Sequence, residues 1–458
     1  MLEGIKNIHF IGIGGAGMSA IAYVLLKRGF VVSGSDANPG YMATKLAKEG
    51  AMIYIGHAAC QIEGADAIVT STAIHGNNPE LVEAQARHVP ILHRSDVLAE
   101  LLNAAKGVAI AGAHGKTTTS SMLACICTEG GADPTVVIGG IVSSLEGNAR
   151  NGASEIVVAE ADESDGSFLK FHPYLAVITN IENDHMDHYG SEENIYQAFH
   201  TFLEQITAGG KAILCFDNEK LRKLARETST EVISYGVDNN EVDYSAQKIS
   251  YDKHGTSYEL YHKGQHLTTV RLIVPGRHNV LNSLGALAAA LELGIALPQI
   301  LASLQIFSGA KRRFETKGKL ADVWVVDDYA HHPTEIKVTL AAAKQTQPKR
   351  LVCVFQPHRY SRTQLLFEEF VHAFGGCDEL ILTDIYCAGE EKVPGISSEI
   401  LAQAVAATGQ KVTYIAELKK IPAFLAAQAQ QGDLIMTIGA GDVYTVGEAL
   451  VTELKRGK

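Results

Sequence analysis

Short apolar runs, each closed by glycine or acidic residues, recur along this chain, and most are followed by a stretch with helical spacing. The first run, Ile5 to Ile13, leads into a cluster of glycines, then a helical stretch over Ala16–Arg28 and a strand over Val31–Ser35 that ends at Asp36. Further strands are predicted at Ala67–Ser71 and Val89–Leu92. A second series opens with Gly107–Ala111, a helix over Thr117–Glu129, and strands at Glu155–Glu160 and Leu175–Asn180. Strands that alternate with helices in this way build a parallel sheet. From Ser234 to Pro275 the period changes to short alternation, with glycine turns at Lys253-His254-Gly255 and His262-Lys263-Gly264. That pattern predicts an antiparallel meander in or beside the second sheet. An Ala- and Leu-rich helix over Asn279–Leu293 follows. From Arg313 onward, strands at Val323–Val326, Arg350–Phe355, Glu379–Thr383, Lys411–Ile415 and Asp433–Ile438 again alternate with helices. The class is α/β, in three portions: 1–105, 106–312 and 313–458.

Composition agrees with this and narrows the partners. A chain of 458 residues, 46% hydrophobic and 20% charged, is long enough for two or three ordinary domains. A net charge of -12 argues against nucleic acid, which is bound by clustered cations that displace counterions. Small phosphates are not excluded, because backbone N–H groups at helix N-termini hold them. The seven cysteines are scattered, and only Cys125 and Cys127 are close, at a spacing that fits neither zinc nor redox motifs. Buried thiols in a reducing compartment are expected. The N-terminus lacks the pattern of a signal peptide, and no apolar run reaches the ~18 residues of a membrane span. The expectation is a cytoplasmic protein without a membrane partner.

Two loops carry the candidate chemistry. Gly12-x-Gly14-x-x-Gly17 lies between a strand and a helix, with Asp36 at the end of the next strand. This is the dinucleotide fingerprint, in which glycines let the backbone approach a pyrophosphate at a helix N-terminus. The same geometry serves NAD, FAD, another nucleotide such as a UDP-sugar, or a tight structural turn. The second loop, Gly112-Ala-His114-Gly115-Lys116-Thr117, also joins a strand to a helix. Backbone N–H groups there suit ATP phosphates, Lys116 their charge, and the Thr117 hydroxyl a magnesium ion. Its spacing is shorter than the common phosphate-loop pattern, with Ile110 where the first glycine is expected. The next two strands end in Glu160-Ala-Asp162-Glu163-Ser-Asp165 and Glu182-Asn-Asp184-His185-Met-Asp187-His188. At the carboxyl ends of parallel strands these groups are either cation ligands facing the phosphate loop or solvated loop acids.

The ordered set GIGGAGMS, AGAHGKTTT, EADESD, TNIENDHMDHY, PGRHNVLN, GAKRRFE, VDDYAHHPTE and FQPHRYSRT resembles the Mur ligases of peptidoglycan precursor synthesis, over essentially the whole chain. The resemblance implies a Rossmann-like UDP-sugar domain, a central phosphate-loop ATPase α/β domain with a small antiparallel portion, and a Rossmann-like C-terminal domain for the amino acid. The sugar nucleotide would lie on Gly12, Gly14, Gly15, Ala16, Gly17, Met18, Asp36 and Ser71. ATP would be held by Gly112, His114, Gly115, Lys116, Thr117 and Thr118, with Asn279 and Asn282 near the adenine and Arg313 and Asp328 reaching phosphate and ribose. Thr117, Glu160 and His185 would hold Mg2+, or Mn2+ in its place. Lys116, Glu160, His185, Arg313 and Asp328 form the implied catalytic set. Tyr329, His331, His358, Arg359 and Arg362 belong to motifs associated with the amino acid.

The implied reaction joins L-alanine to the lactyl carboxylate of UDP-N-acetylmuramate through an acyl phosphate, in a monomer or homodimer. Closure of the three portions is the implied means of keeping water from the acyl phosphate. Arg359 and Arg362, three apart, share one face if helical and suit a carboxylate; a solvated helix start is the plainer alternative. His331 and His332 are both candidates to deprotonate the amine, and neither is assigned. Several Mur ligases that act later in the pathway carry a metal-holding carbamylated lysine about fifteen residues past the DHMD histidine. This chain has no lysine between Lys170 and Lys211, and His200 stands at that place. Two other functions stay open: a ligase that recycles a tripeptide onto the same sugar nucleotide, and an NAD-dependent dehydrogenase.

Overall fold

The computed structural model describes residues 2–38, 40–142, 145–182, 186–252 and 255–456. The chain divides into two compact units, Met1–Lys248 with Tyr258–Val270 and Val280–Phe307, and Ile249–Ser257 with Arg271–Asn279 and Ser308–Lys458. Among the described residues the strands form three sheets.

The first sheet contains β1 (Asn7–Ile11), β2 (Val31–Asp36), β3 (Met52–Ile55), β4 (Ala67–Thr70) and β5 (Ile91–His93), in the order β3-β2-β1-β4-β5. Every neighbouring pair is parallel. The order reverses between β1 and β4, so the loop after β1 opens at the switch point where wound sheets bind ligands. The β1 residues Ile8, Phe10 and Ile11 are buried, as expected of a strand covered on both faces.

The second sheet contains β6 (Lys106–Ala111), β7 (Thr135–Val142), β8 (Gly147–Arg150), β9 (Ile156–Glu160), β10 (Leu175–Ile178), β11 (Lys211–Cys215), β12 (Glu231–Val237), β13 (Tyr244–Asp252), β14 (Gly255–His262) and β15 (Gln265–Leu272). Its order is β15-β14-β13-β12-β11-β10-β6-β9-β7-β8. β6 is therefore central, flanked by β10 and β9, and parallel to both. The expected meander differs at its start: β12 is parallel to both β11 and β13, so the change of direction comes only after β13. β14 and β15 are joined by Lys263 and Gly264, both with positive φ, the turn that matches strand twist in an antiparallel hairpin.

The third sheet contains β16 (Glu315–Leu320), β17 (Val323–Asp328), β18 (Arg350–Phe355), β19 (Glu379–Leu382), β20 (Val412–Tyr414) and β21 (Asp433–Ile438), in the order β16-β17-β21-β18-β19-β20. Four of its pairings are parallel, but β16 is antiparallel to β17 at the edge. The polar run of β16 gave no apolar signal, since an edge strand needs less buried surface than a central one. Phe355, Phe370 and Phe374 fill the core on one face of this sheet, with ring centroids 5.7 and 5.1 Å from Phe355. Phe355→Ala is expected to lower stability by about 3–5 kcal/mol. Urea unfolding followed by a probe in the second unit would measure it, and a loss under about 1 kcal/mol would mean that this core repacks.

Candidate functional site

The glycine loop is held by its own strand ends. Gly12 and Ile13 donate their N–H groups to Ser35 O at 2.8 and 3.0 Å. Gly14 N donates to Asp36 Oδ2 at 2.9 Å, and a methyl on Gly14 would meet that carboxylate. Gly15 caps the helix Ala16–Lys27 without a side-chain bond, leaving the N–H groups of Ala16, Gly17 and Met18 at its open end. Ser71 begins a turn whose Ile74 side chain lies 3.2 Å from where a Gly12 Cβ would stand. Gly12–Met18, Asp36 and Ser71 thus gather at one end of the first sheet.

In the second sheet the phosphate loop follows β6, and the two acidic segments follow β9 and β10 on either side. Gly112 has φ +125°, and any side chain there would collide with Thr179 Oγ1 and Asn180 O. His114 is clamped from β10's end: its N–H donates to Asn180 Oδ1 at 2.9 Å, and its O accepts from Thr179 Oγ1 at 2.5 Å and Asn180 Nδ2 at 2.9 Å. Gly115, with φ +86°, caps the helix Lys116–Glu129. Lys116 Nζ reaches back to Gly112 O at 2.6 Å and across to Glu163 Oε1 at 2.8 Å. Burial works against its charge, but Glu163 and then Glu160 outweigh it and raise its pKa. Thr117 Oγ1 donates to Glu160 Oε1 at 2.9 Å, and Glu160 Oε2 accepts from Gly139 N. Thr118 follows in the first turn of the same helix. Asn282 Oδ1 accepts from Thr119 Oγ1 at 3.3 Å and lies beside Gly115. Lys116, Thr117, Glu160 and Asn282 are therefore brought together; His185 lies outside the described residues.

In the other unit, Asn279 donates to Pro275 O at 2.7 Å. The Asp328 carboxylate, at the end of β17, accepts from Phe314 N and Ala330 N at 2.8 Å each. Burial raises its pKa to about 6 against the pull of Arg313. Arg313 lies over the Tyr329 ring at 5.4 Å. The His331 ring stands edge-on to Tyr329 and to His358, at 5.6 and 6.0 Å. His331 Nδ1 faces Tyr329 O at 3.1 Å and Glu335 Oε2 at 3.4 Å, so it carries the proton and Nε2 keeps a lone pair. Arg362 Nη1 donates to His358 Nδ1 at 3.2 Å.

Arg359 sits at φ 72°, ψ 139° ahead of the helix Tyr360–Leu365, a conformation that costs a non-glycine residue about 1–3 kcal/mol. The backbone holds it there: Arg359 N donates to Tyr386 O and Tyr386 N to Pro357 O, each at 2.8 Å. Arg359 and Arg362 are thus not on one helix face as expected, because only Arg362 lies within the helix. Beyond the Tyr386 ring, which stacks on His358 at 5.5 Å, a cavity of about 500 Å³ opens at the carboxyl ends of β18, β19 and β21. Gln356, Asp384, Tyr386 and Asp442 line it.

Residues 7–106 match the model of the Mur ligase family catalytic domain, residues 110–290 the Mur ligase middle domain, and residues 312–441 the Mur ligase glutamate ligase domain. The UDP-N-acetylmuramate–L-alanine ligase of Syntrophotalea carbinolica is 47% identical over 99% of both chains, and that of Geotalea uraniireducens 48% identical over 98% of both. The chain belongs to the Mur ligase family. Among solved structures it is similar to the UDP-N-acetylmuramate–alanine ligase MurC of Thermotoga maritima, with TM-score 0.86, 29% identity, and 99% and 100% of the two chains covered. A murein peptide ligase from Psychrobacter arcticus has TM-score 0.73 and 26% identity, with 98% of both chains covered.

Two residues of this Mur ligase were not reached from sequence. Glu163 stood in the acidic motif without a role, and its hold on Lys116 depends on the loop path after β9. Arg312, beside the expected Arg313, is bound to Asp327 Oδ2 at 3.0 Å and to the carbonyls of Gly439 and Gly441 at 2.5 and 3.0 Å. An Arg-Arg pair gives no sign of which member is spent on structure.

Burial pushes His331 down to about 4, with Glu335 opposing and Arg362 adding to it; burial and Arg362 bring His358 to about 4 as well. Both are neutral at pH 7. A histidine with a lowered folded pKa contributes stability that is present above its unfolded pKa and lost as pH falls through the window from about 6.5 to 4. Asp328 has the opposite sign: its raised pKa means that acidification from about 6 to 4 favours the fold. From pH 7 to pH 5 the urea midpoint is therefore expected to fall less in His331→Asn than in the wild type, and further in Asp328→Asn. Equal slopes in all three would show that these groups do not govern acid stability.

Proposed function

We infer that this chain is an ATP-dependent ligase that joins L-alanine to the lactyl carboxylate of UDP-N-acetylmuramate, releasing ADP and phosphate in peptidoglycan precursor synthesis. The observation that carries the reading is the phosphate loop with Lys116 set between strand-end carboxylates, in a chain alike over its whole length to alanine-adding ligases. The higher TM-score to the alanine ligase than to the murein peptide ligase, 0.86 against 0.73, favours alanine over a tripeptide. The family matches also support a division into portions 1–105, 106–312 and 313–458 for the sugar nucleotide, ATP and the amino acid.

A carboxylate and an amine do not condense in water without activation. A lactyl carboxylate oxygen attacks the γ-phosphorus, the bond to ADP breaks, and an acyl phosphate forms. The amine nitrogen then attacks the acyl carbon, phosphate leaves, and a base accepts the ammonium proton. The first step brings anion to anion, and Lys116, with the N–H groups at the start of its helix, offsets the charge on the phosphoryl oxygens. Gly112, His114, Gly115 and Thr118 form the rest of this cradle; Asn279, Asn282, Arg313 and Asp328 are its proposed partners for adenine, phosphate and ribose. The Thr117 hydroxyl and Glu160 carboxylate, 2.9 Å apart, are two hard oxygen donors at that loop and fit Mg2+ or Mn2+, with His185 as the proposed third ligand. Bound there, the cation would neutralise phosphate charge. The glycine loop, Asp36 and Ser71 take the sugar nucleotide. Arg362 and Arg359, with Tyr329, His331 and His358, take the amino acid, whose carboxylate suits a guanidinium. No helix among the described residues is long and apolar enough to cross a membrane. The seven cysteines are free thiols, which suits the reducing, cytoplasmic setting proposed for the chain.

The first test is phosphate release from ATP, Mg2+ and UDP-N-acetylmuramate, with and without L-alanine, and with mass detection of the product. Alanine-dependent phosphate and a product heavier by one alanyl residue are expected; turnover only with a tripeptide would overturn the choice of substrate. Lys116→Met is expected to lower kcat by about 10²–10³. Arg362→Ala should raise KM for alanine by about tenfold or more and leave KM for ATP unchanged. A fall in kcat with an unchanged alanine KM would remove Arg362 from the amino-acid site.

A further inference from the structure

The glycine loop has no cation of its own, since no Lys or Arg occurs between Lys6 and Lys27. A nucleotide diphosphate carries about two negative charges, and a helix N-terminus offers only about half a positive charge. The structure brings a guanidinium to this loop from elsewhere. Arg94 follows β5 and opens the helix Arg94–Asn103, at the carboxyl edge of the first sheet, where the glycine loop also lies. A Cβ on Gly17 would stand 3.4 Å from Arg94 Nη1 and 3.8 Å from its Cδ, so the side chain rests against the first turn of Ala16–Lys27. Its other amino group points to the second sheet's acidic loop, with Nη2 2.7 Å from Asp162 Oδ2 and 3.7 Å from Asp165 Oδ2. The side chain keeps 18% of its surface open.

We propose that Arg94 is the cation of the sugar-nucleotide site: Nη1 takes a phosphate oxygen of the diphosphate while Nη2 keeps its bond to Asp162. The proposal rests on the reading that the first segment binds a UDP-sugar. Arginine suits the task because its planar fork presents donors in two directions, whereas a lysine ammonium is a single point charge. A Cβ on Gly17 would come into ordinary van der Waals contact with the guanidinium, which shows how near Nη1 lies to the start of that helix. The acidic loop that Arg94 holds also carries Glu163, bonded to Lys116 at 2.8 Å. One side chain thereby stands between the diphosphate of one nucleotide and the loop that braces the phosphate lysine of the other.

The test is calorimetric titration of the full chain with UDP, and separately with a non-hydrolysable ATP analogue, for wild type, R94Q, R94K and D162N. R94Q is expected to weaken UDP by about tenfold or more, and R94K by about threefold or more, because one ammonium cannot serve both anions. D162N, which keeps the arginine and frees it, should bind UDP as well as wild type or better. The ATP analogue should bind R94Q within about twofold of wild type, because the ion pairs of Arg94 run to Asp162 and Asp165 of the acidic loop. UDP affinity unchanged in both Arg94 variants would overturn the proposal. So would an equal loss in D162N and R94Q, which would make Arg94 a strut for the acidic loop and nothing more. R94K keeps the charge and decides the matter should R94Q fail to fold. A wild-type chain that binds no UDP would instead overturn the sugar-nucleotide reading itself, and this proposal with it.

Discussion

A largely buried ammonium held among carboxylates organises the central portion of this molecule. Lys116 has 14% of its side chain exposed and its partner Glu163 has 4%, so both charges are largely withdrawn from water. Such a pair is costly to bury unless its geometry is good and further bonds satisfy it, and removing one member strands the other. Gly112 O supplies the additional bond at 2.6 Å. The loop therefore closes back on its own lysine, and the start of its helix faces the acids of β9. Because β6 lies between β9 and β10, this arrangement needs no long connection: three parallel strands end together and their loops meet.

The second unit uses the opposite electrostatic device. His331 and His358 are kept neutral by burial and by neighbouring guanidinium groups, while its structural arginine, Arg312, is neutralised against the fully buried Asp327. A neutral imidazole retains a lone pair that can accept a hydrogen bond, as His358 Nδ1 does from Arg362. The strained backbone at Arg359 is maintained by paired bonds to Tyr386 and Pro357. Strain of this kind survives only where the surroundings over-determine it, and here it turns the chain sharply between β18 and the arginine-bearing helix.

The main strands and the two glycine-rich loops were legible from apolar periodicity and glycine placement. β18 and β21 have the predicted bounds, and the helix after the phosphate loop begins one residue earlier than expected. Polar edge strands were not legible. β16, with the run ETKGKL, buries too little to leave a period, and its antiparallel pairing follows from its place beside β17. The meander was seen but its first strand was misjudged, because alternation does not distinguish a parallel neighbour from an antiparallel one.

Sequence by itself determined which residues carry charge, which positions tolerate no side chain, and, through long ordered motifs, the family and its chemistry. These are properties of residue type and spacing along the chain, and they survive without coordinates. Tertiary structure alone decided how the charges are shared: that Lys116 answers to Glu163, that Thr117 and Glu160 meet, that Arg312 is spent on Asp327, and that Arg94 reaches Gly17. Each of those pairs is separated by tens of residues or by a choice between equivalent neighbours. Electrostatic pairing depends on distances of a few ångströms in space, and spacing along the chain does not encode those.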